Sequence, residues 1–216
     1  ERPRFTLDPL FHCGCYYVQD SSAMVVGSIF RELLPICGDC SRPVRVLDLC
    51  AAPGGKSTDL AASLRMAFGN GFLLVSNEVM RSRASVLADN MALWGDTNVV
   101  VTSVDPKAFA CLEGFFDIIV TDVPCSGEGM FRKDAKAVED WSGSTVNLCS
   151  TRQKRILADV WPSLRNGGVL VYSTCTFEEA ENEAIMEWTA NELGGGICEY
   201  DYSALQGVVA TRTGGL

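Results

Sequence analysis

The sequence predicts an α/β fold, a doubly wound and mostly parallel sheet. Five short apolar runs, 44–49, 71–78, 98–105, 116–123 and 169–175, are continuous rather than alternating. Strands covered on both faces read this way. Between them lie longer segments whose apolar residues recur at helical spacing, the signature of strand–helix–strand units. The expected carboxyl ends of the five strands carry Asp48, Glu78, Asp105, Asp122 and Cys175. In such sheets ligands sit at those ends, and packing alone does not explain five reactive or polar residues there.

Taken in order, residues 1–40 read as an irregular leader and a helix, Ser21 to Leu34, packed on the core. The run V-R-V-L-D-L at 44–49 opens the main domain, which spans 41–193. Lys56 to Phe68 follows as a helix with Leu60, Leu64 and Ala67 on one face. The strand at 71–78 leads to a helix from Arg81 to Trp94, which Gly95 ends. Strands at 98–105 and 116–123 come next, then a helix from Arg152 to Leu164 with the stop R-N-G-G. The last strand, 169–175, precedes a strongly acidic helix from Glu178 to Leu193. The tail, 194–216, is glycine-rich and fits no complete element, and both strands of a closing hairpin cannot be found in it. The chain begins at Glu1 rather than methionine, so residues are expected upstream, and the tail reads as incomplete.

With 216 residues the chain suffices for one domain with a sizeable core, and 47% apolar content marks it as globular. No apolar run approaches the roughly 18 residues of a membrane span, and the charged start E-R-P-R-F-T-L-D is not a secretory signal. Ten cysteines in a chain this rich in apolar periodic segments are expected to be reduced, mostly buried and cytoplasmic. Cys13 and Cys15 in H-C-G-C with Cys37 and Cys40 in C-G-D-C could offer four zinc ligands. The C-x-C spacing is poor for one metal, so none is expected. The net charge of −9 argues against phosphate contacts outside the local cluster Arg132, Lys133, Lys136, Arg152, Lys154 and Arg155. A solvated surface is the other reading of that cluster.

The loop C-A-A-P-G-G-K-S-T at 50–58 misses the phosphate-binding pattern G-x-x-x-x-G-K-[ST] because Cys50 stands where the first glycine belongs. The apolar run ending at Asp122 imitates the magnesium-holding strand of nucleotide hydrolases, which makes such a hydrolase the competing reading. Three residues oppose it. Cys50 cannot adopt a glycine-only backbone angle without strain. Pro53 lacks an N–H that a phosphate cradle would use. Glu78 stands where an acid accepts hydrogen bonds from ribose hydroxyls. A ligand with a ribose, no phosphates and a positive charge fits acidic strand ends, and S-adenosylmethionine is such a ligand.

In V-P-C-S-G, positions 123–127, a thiol stands at a strand end beside Asp122. By itself Cys125 could be nucleophile, metal ligand, general base or bystander. Four stretches carry a resemblance: L-D-L-C-A-A-P-G-G-K-S-T, S-N-E-V-M-R-S-R-A, T-D-V-P-C-S-G-E-G-M-F-R-K-D and Y-S-T-C-T-F-E-E-A-E-N-E. Together they resemble the RNA 5-methylcytosine methyltransferases of the Nol/Nop/Sun type, over about residues 5 to 193. The leader H-C-G-C-Y-Y-V-Q-D-S-S-A-M is similar to that of the branch acting on bacterial small-subunit ribosomal RNA. Cys13 and Cys15 depart from the small residues expected there.

The resemblance implies a Rossmann-like S-adenosylmethionine-dependent methyltransferase fold and an RNA substrate. It further implies that Cys175 attacks carbon 6 of cytosine and that Cys125 helps release product. Asp122 would hold the exocyclic amine and ring nitrogen. Cys50, Ala51, Ala52, Pro53, Gly54, Gly55 and Lys56 would line the methionine end of the methyl donor, with Glu78 at the ribose and Asp105 at the adenine. Asp122 and Lys56 are assigned to both catalysis and cofactor binding. Arg83 would stack or pair nearby, and His12, the only histidine, reads as structural. No membrane partner is expected, and the chain is expected to be monomeric. A DNA cytosine methyltransferase would use Cys125 as nucleophile, but its E-N-V motif and large target-recognition segment are absent. A non-catalytic RNA-binding module would not require Cys175, Asp122 and Glu78 together.

Overall fold

The computed structural model describes residues 4–37, 42–132 and 135–198. The cysteine Cys40, the basic residue Lys133, the terminal Glu1 and the tail from 199 onward lie outside the described residues. The described elements are α1 (Pro9–His12), α2 (Met24–Leu33), β1 (Val44–Asp48), α3 (Gly55–Phe68), β2 (Phe72–Asn77), α4 (Arg81–Trp94), β3 (Val99–Thr102), β4 (Phe116–Asp122), α5 (Ala135–Asp140), α6 (Gly143–Val160), β5 (Leu164–Ser173) and α7 (Glu183–Leu193). The sheet is ordered β3-β2-β1-β4-β5 and its strands run parallel. Its winding reverses at β1, where a doubly wound sheet places its ligand crevice. Among the described residues no helix is long and apolar enough to cross a membrane.

The chain forms two compact units. The first joins Glu1–Asp105, Gly114–Thr121 and Leu164–Val171. Its core is what continuous apolar strands dictate: Val46, Leu47, Leu74, Ile118 and Val120 are all but inaccessible. Helix α3 presents Leu60, Ala61 and Leu64 to the cluster of Val46, Leu74, Ile118 and Val120, which Phe30 and Val26 of α2 also join. Fully burying one such side chain contributes about 1.5–3 kcal/mol. Helix α4 buries Leu87 and Met91 against Ala51 and Ala52, and so supports the loop after β1.

At the opposite ends of these strands, Asp117 is buried and accepts hydrogen bonds from Arg42 Nη1 and Nη2 (3.1 and 2.6 Å), Arg165 Nε (2.6 Å) and the Arg45 N–H (2.9 Å). Burial pushes this carboxyl up, but those donors outweigh it and hold the group below the usual carboxylate range.

The second unit joins Pro106–Glu113, Asp122–Ser163 and Tyr172–Leu216. Helix α6 packs on the 3-10 turn Pro106–Cys111 and on α7. It buries Val146, Cys149, Ile156, Leu157 and Val160. Several expected boundaries move. Helix α6 begins at Gly143, nine residues before Arg152, because Ser142 caps it through a hydrogen bond from the Thr145 N–H (3.2 Å). It ends at Val160, where Trp161–Pro162–Ser163 tightens to a 3-10 turn and Pro162 offers no N–H. The R-N-G-G segment is therefore no helix stop but the opening of β5. The acidic helix is divided by Asn182 into a 3-10 turn, Glu179–Glu181, and α7. Strand β3 stops at Thr102, so Asp105 sits in the following loop and is exposed.

Candidate functional site

The first unit carries a loop between β1 and α3. Asp48 closes β1, is inaccessible to solvent and accepts from Ser57 Oγ (2.6 Å). The Ala51 N–H donates to the Asn77 carbonyl (2.8 Å), and the Gly54 N–H to the Ala51 carbonyl (2.8 Å). The loop thus spends N–H groups on its own carbonyl partners. Gly54 has φ +113°, a conformation side chains rarely adopt. Cys50 has no positive φ, so it sits without the strain a phosphate loop would impose on it. Its sulphur receives a weak contact from Thr121 Oγ1 at 3.7 Å. Lys56 lies half-buried in the first turn of α3.

Glu78 follows β2 and is 3% exposed. Its Oε1 accepts from the Met80 N–H (3.0 Å), while Oε2 accepts no hydrogen bond and faces Arg83 Nη1 at 3.3 Å. The other Arg83 amino group donates to the Ala52 carbonyl (2.8 Å), so Arg83 links Glu78 to the loop.

Sequence reading missed several supports of this loop. Asn77 donates to the Leu49 and Val104 carbonyls (3.2 and 3.1 Å) and accepts from Thr102 Oγ1 (2.8 Å), tying together the strand ends around Glu78. Asn90 Nδ2 reaches the Pro53 carbonyl (2.7 Å), and Gln19 Nε2 donates to the Gly55 carbonyl. An isolated Asn or Gln carries no spacing signal, so only the fold reveals these roles.

The second unit carries the thiols. Strands β4 and β5 are neighbours, and the Val123 N–H donates to the Ser173 carbonyl (3.1 Å). The loops that continue them, V-P-C-S-G and T-C-T-F, therefore leave side by side. Cys125 and Cys175 come to 3.0 Å between sulphurs, and the Cys175 N–H points at the Cys125 sulphur (3.3 Å). Cys175 is exposed, whereas Cys125 is half-buried. The hydrogen bond with Cys175, then burial, then the neighbouring sulphur's charge push the Cys125 thiol far up. Two anionic sulphurs this close repel, so Cys125 keeps its proton. Asp122, the last residue of β4, accepts from Ser173 Oγ (3.1 Å).

The two loops are clamped. The Gly129 N–H donates to the Cys175 carbonyl (2.7 Å), and a Cβ on Gly129 would lie 2.9 Å from that oxygen. Glu128 Oε2 accepts from Thr176 Oγ1 (2.9 Å) and the Phe177 N–H (2.6 Å). Ser126 Oγ and Thr176 Oγ1 are 3.0 Å apart. Glu181 and Gln153, both inaccessible, lie beneath Ser126 and Pro124. Glu181 lies in an acidic run that reads as solvated surface, so nothing in the sequence marks it as buried.

The remaining candidates fall elsewhere. His12 Nε2 donates to the Thr6 carbonyl (2.9 Å) within the leader. Cys13 and Cys15 are exposed and Cys37 is buried. Among the described residues no three His, Cys, Asp or Glu side chains are grouped to hold a metal ion. In the basic cluster, Lys154 lies 5.8 Å from the Trp188 ring centre and Arg155 lies 4.0 Å from Asp159.

Comparison with known proteins matches residues 40–192 to the family described as 16S rRNA methyltransferase RsmB/F. The ribosomal RNA small subunit methyltransferase F of Klebsiella pneumoniae (strain 342) is 40% identical over 178 residues, 81% of this chain and 35% of that protein. The protein of the same name from Salmonella typhi shows the same figures. The chain thus spans about a third of the length of the curated relatives it matches. Among solved structures, NSun6 from Pyrococcus horikoshii with SFG has a TM-score of 0.75 at 25% identity, covering 93% of this chain and 48% of that one. A methyltransferase homolog from Pyrococcus horikoshii has a TM-score of 0.72 at 28% identity, covering 94% of this chain and 60% of that one.

Proposed function

We propose, for a chain that belongs to the 16S rRNA methyltransferase RsmB/F family, that it transfers a methyl group from S-adenosylmethionine to carbon 5 of a cytosine in small-subunit ribosomal RNA. The observation that carries the two-thiol chemistry is the pair of sulphurs 3.0 Å apart on loops leaving adjacent strands. The names of the relatives support the RNA substrate. The solved relative with SFG, an analogue of the methyl donor, supports the cofactor.

The first unit's residues fit that donor. Glu78 Oε2 is a buried oxygen that accepts no hydrogen bond, and a ribose hydroxyl donated to it beside the Arg83 cation would satisfy it. In the loop at 50–55 the Ala51 and Gly54 N–H groups donate internally and Pro53 has none, so three of the groups a phosphate cradle would use are not offered to a ligand. When bound, the donor supplies an electrophilic methyl on a sulfonium. Glu78 would hold the ribose, Asp105 the adenine, and Cys50 through Lys56 the methionine end.

Carbon 5 of cytosine is a poor nucleophile. Attack by the exposed Cys175 sulphur forms a bond to carbon 6 and pushes the ring's π electrons toward carbon 5. Asp122 would steady the ring nitrogen and exocyclic amine as charge develops. Carbon 5 then takes the methyl group. The carbon 5 proton must leave to Cys125, so that the double bond reforms and the Cys175 thiolate departs. In the resting pair Cys125 holds its proton beside the Cys175 sulphur. Once Cys175 is bonded to carbon, the main influence raising Cys125 is gone, and its proton can pass to solvent before it acts as base.

The test is a denaturing gel of protein incubated with unmodified small-subunit RNA and S-adenosylmethionine. Cys175→Ala should give neither product nor adduct. Cys125→Ala should methylate but remain linked to RNA. A stable adduct from Cys175→Ala and none from Cys125→Ala would reverse the two roles.

A further inference from the structure

We propose that Glu181 is a positioning residue for the thiol pair: with Gln153 it fixes the peptide groups on both sides of Cys125 and so sets that sulphur against Cys175. The proposal rests on the two-thiol reading above.

Glu181 is 0% exposed, as is Gln153. A buried carboxylate is costly unless well hydrogen-bonded. Its oxygens accept from the Ser126 N–H at 3.0 and 3.3 Å, and Oε2 accepts from Gln153 Nε2 at 2.8 Å. The same Gln153 Nε2 donates to the Pro124 carbonyl (3.0 Å). The two residues flanking Cys125 are therefore each gripped by one member of this pair. On the other side, Tyr172 of β5 donates its hydroxyl to the Glu181 carbonyl (2.6 Å). The grip is thus referred to the strand that carries the Cys175 loop. A carboxylate suits the place because it accepts from two different donors at once. An amide could keep its oxygen where Oε2 accepts from both donors, but its NH₂ would then stand at the Oε1 position and face the Ser126 N–H at 3.3 Å, donor against donor. Between them the two side chains hold both peptides around a single thiol.

The experiment uses the full chain with Glu181→Gln and, separately, Gln153→Leu. Brief iodoacetamide labelling followed by peptide mass spectrometry gives the Cys125 rate, with buried Cys149 of the same unit as the internal measure of unfolding. A several-fold rise at Cys125 with Cys149 unchanged is expected. In single-turnover reactions with unmodified small-subunit RNA and S-adenosylmethionine, the ratio of covalent adduct to released product should rise toward that of Cys125→Ala. An unchanged Cys125 rate in variants that melt normally overturns the proposal. So does a joint rise of both cysteines, or failure of both variants to fold, since either assigns the pair to stability alone. If Cys125→Ala itself gives no adduct, the two-thiol reading fails, while the labelling ratio still decides the role of Glu181.

Discussion

The Cys125 proton is held by its neighbour 3.0 Å away and by half-burial of the thiol. Removing the neighbour should release it. Cys175→Ala is expected to lower the Cys125 titration midpoint toward the ordinary thiol range without fully reaching it, because burial remains. Thiolate absorbance followed against pH would show this, and an unchanged midpoint would refute the shared-proton account. At this scale the sequence was informative where chemistry is written in contiguous letters. P-C and T-C each stand at the close of an apolar run, so the structure's juxtaposition of Cys125 with Cys175 could be anticipated. Glu181 and Gln153 could not. They are 28 positions apart and meet at 2.8 Å only through the packing of α6 against the segment before α7. Each alone resembles a solvated helix residue.

Elements were legible in proportion to their apolar content. Helix α4 runs from Arg81 to Trp94 as its periodicity and Gly95 suggest, and β1 needs only Val44–Asp48. The first half of α6 was invisible. Ser144, Thr145, Asn147, Ser150 and Thr151 are weak helix formers that offer competing local hydrogen bonds. The cap at Ser142 and burial of Val146 and Cys149 override them. Ser142→Ala should therefore cost about 1 kcal/mol and lower the melting temperature by about 2–4 °C in calorimetry, with the thiol loops unaffected. The turn containing Gly129 is less forgiving. Gly129→Ala must push a methyl against the Cys175 carbonyl at 2.9 Å, so methyl transfer is expected to fall at least about tenfold in a single-turnover assay while melting changes little.

Across the whole molecule, charge is organised for stability more than for display. Asp117 and Asp96 both titrate low. Burial raises each, but Arg42 with the Arg45 N–H and Arg165 outweighs it at Asp117, and Arg65 with the Asn98 N–H does so at Asp96. A carboxylate depressed in the fold contributes stability above its unfolded value of about 3.9 and loses it as pH falls through the folded value. Asp117→Asn should cost about 2 kcal/mol near neutrality in urea unfolding and flatten the fall in stability below about pH 4. On the proposed RNA substrate, a net charge of −9 leaves the cluster Arg132, Lys133, Lys136, Arg152, Lys154 and Arg155 to meet phosphates. Six cations on a single strand give a log–log salt slope no steeper than about −4. A steeper slope measured by titration would show that other cations contribute. The strand order has a further consequence, in time rather than space. Val46 of β1 pairs with Ile118 of β4, which emerges 72 positions later in synthesis. At about 5–20 residues per second the central strand waits roughly 4–14 s with one edge open. During that interval V-R-V-L-D is a sticky edge in search of a partner, and a nascent chain arrested before Phe116 should be the form that chaperones hold and proteases find.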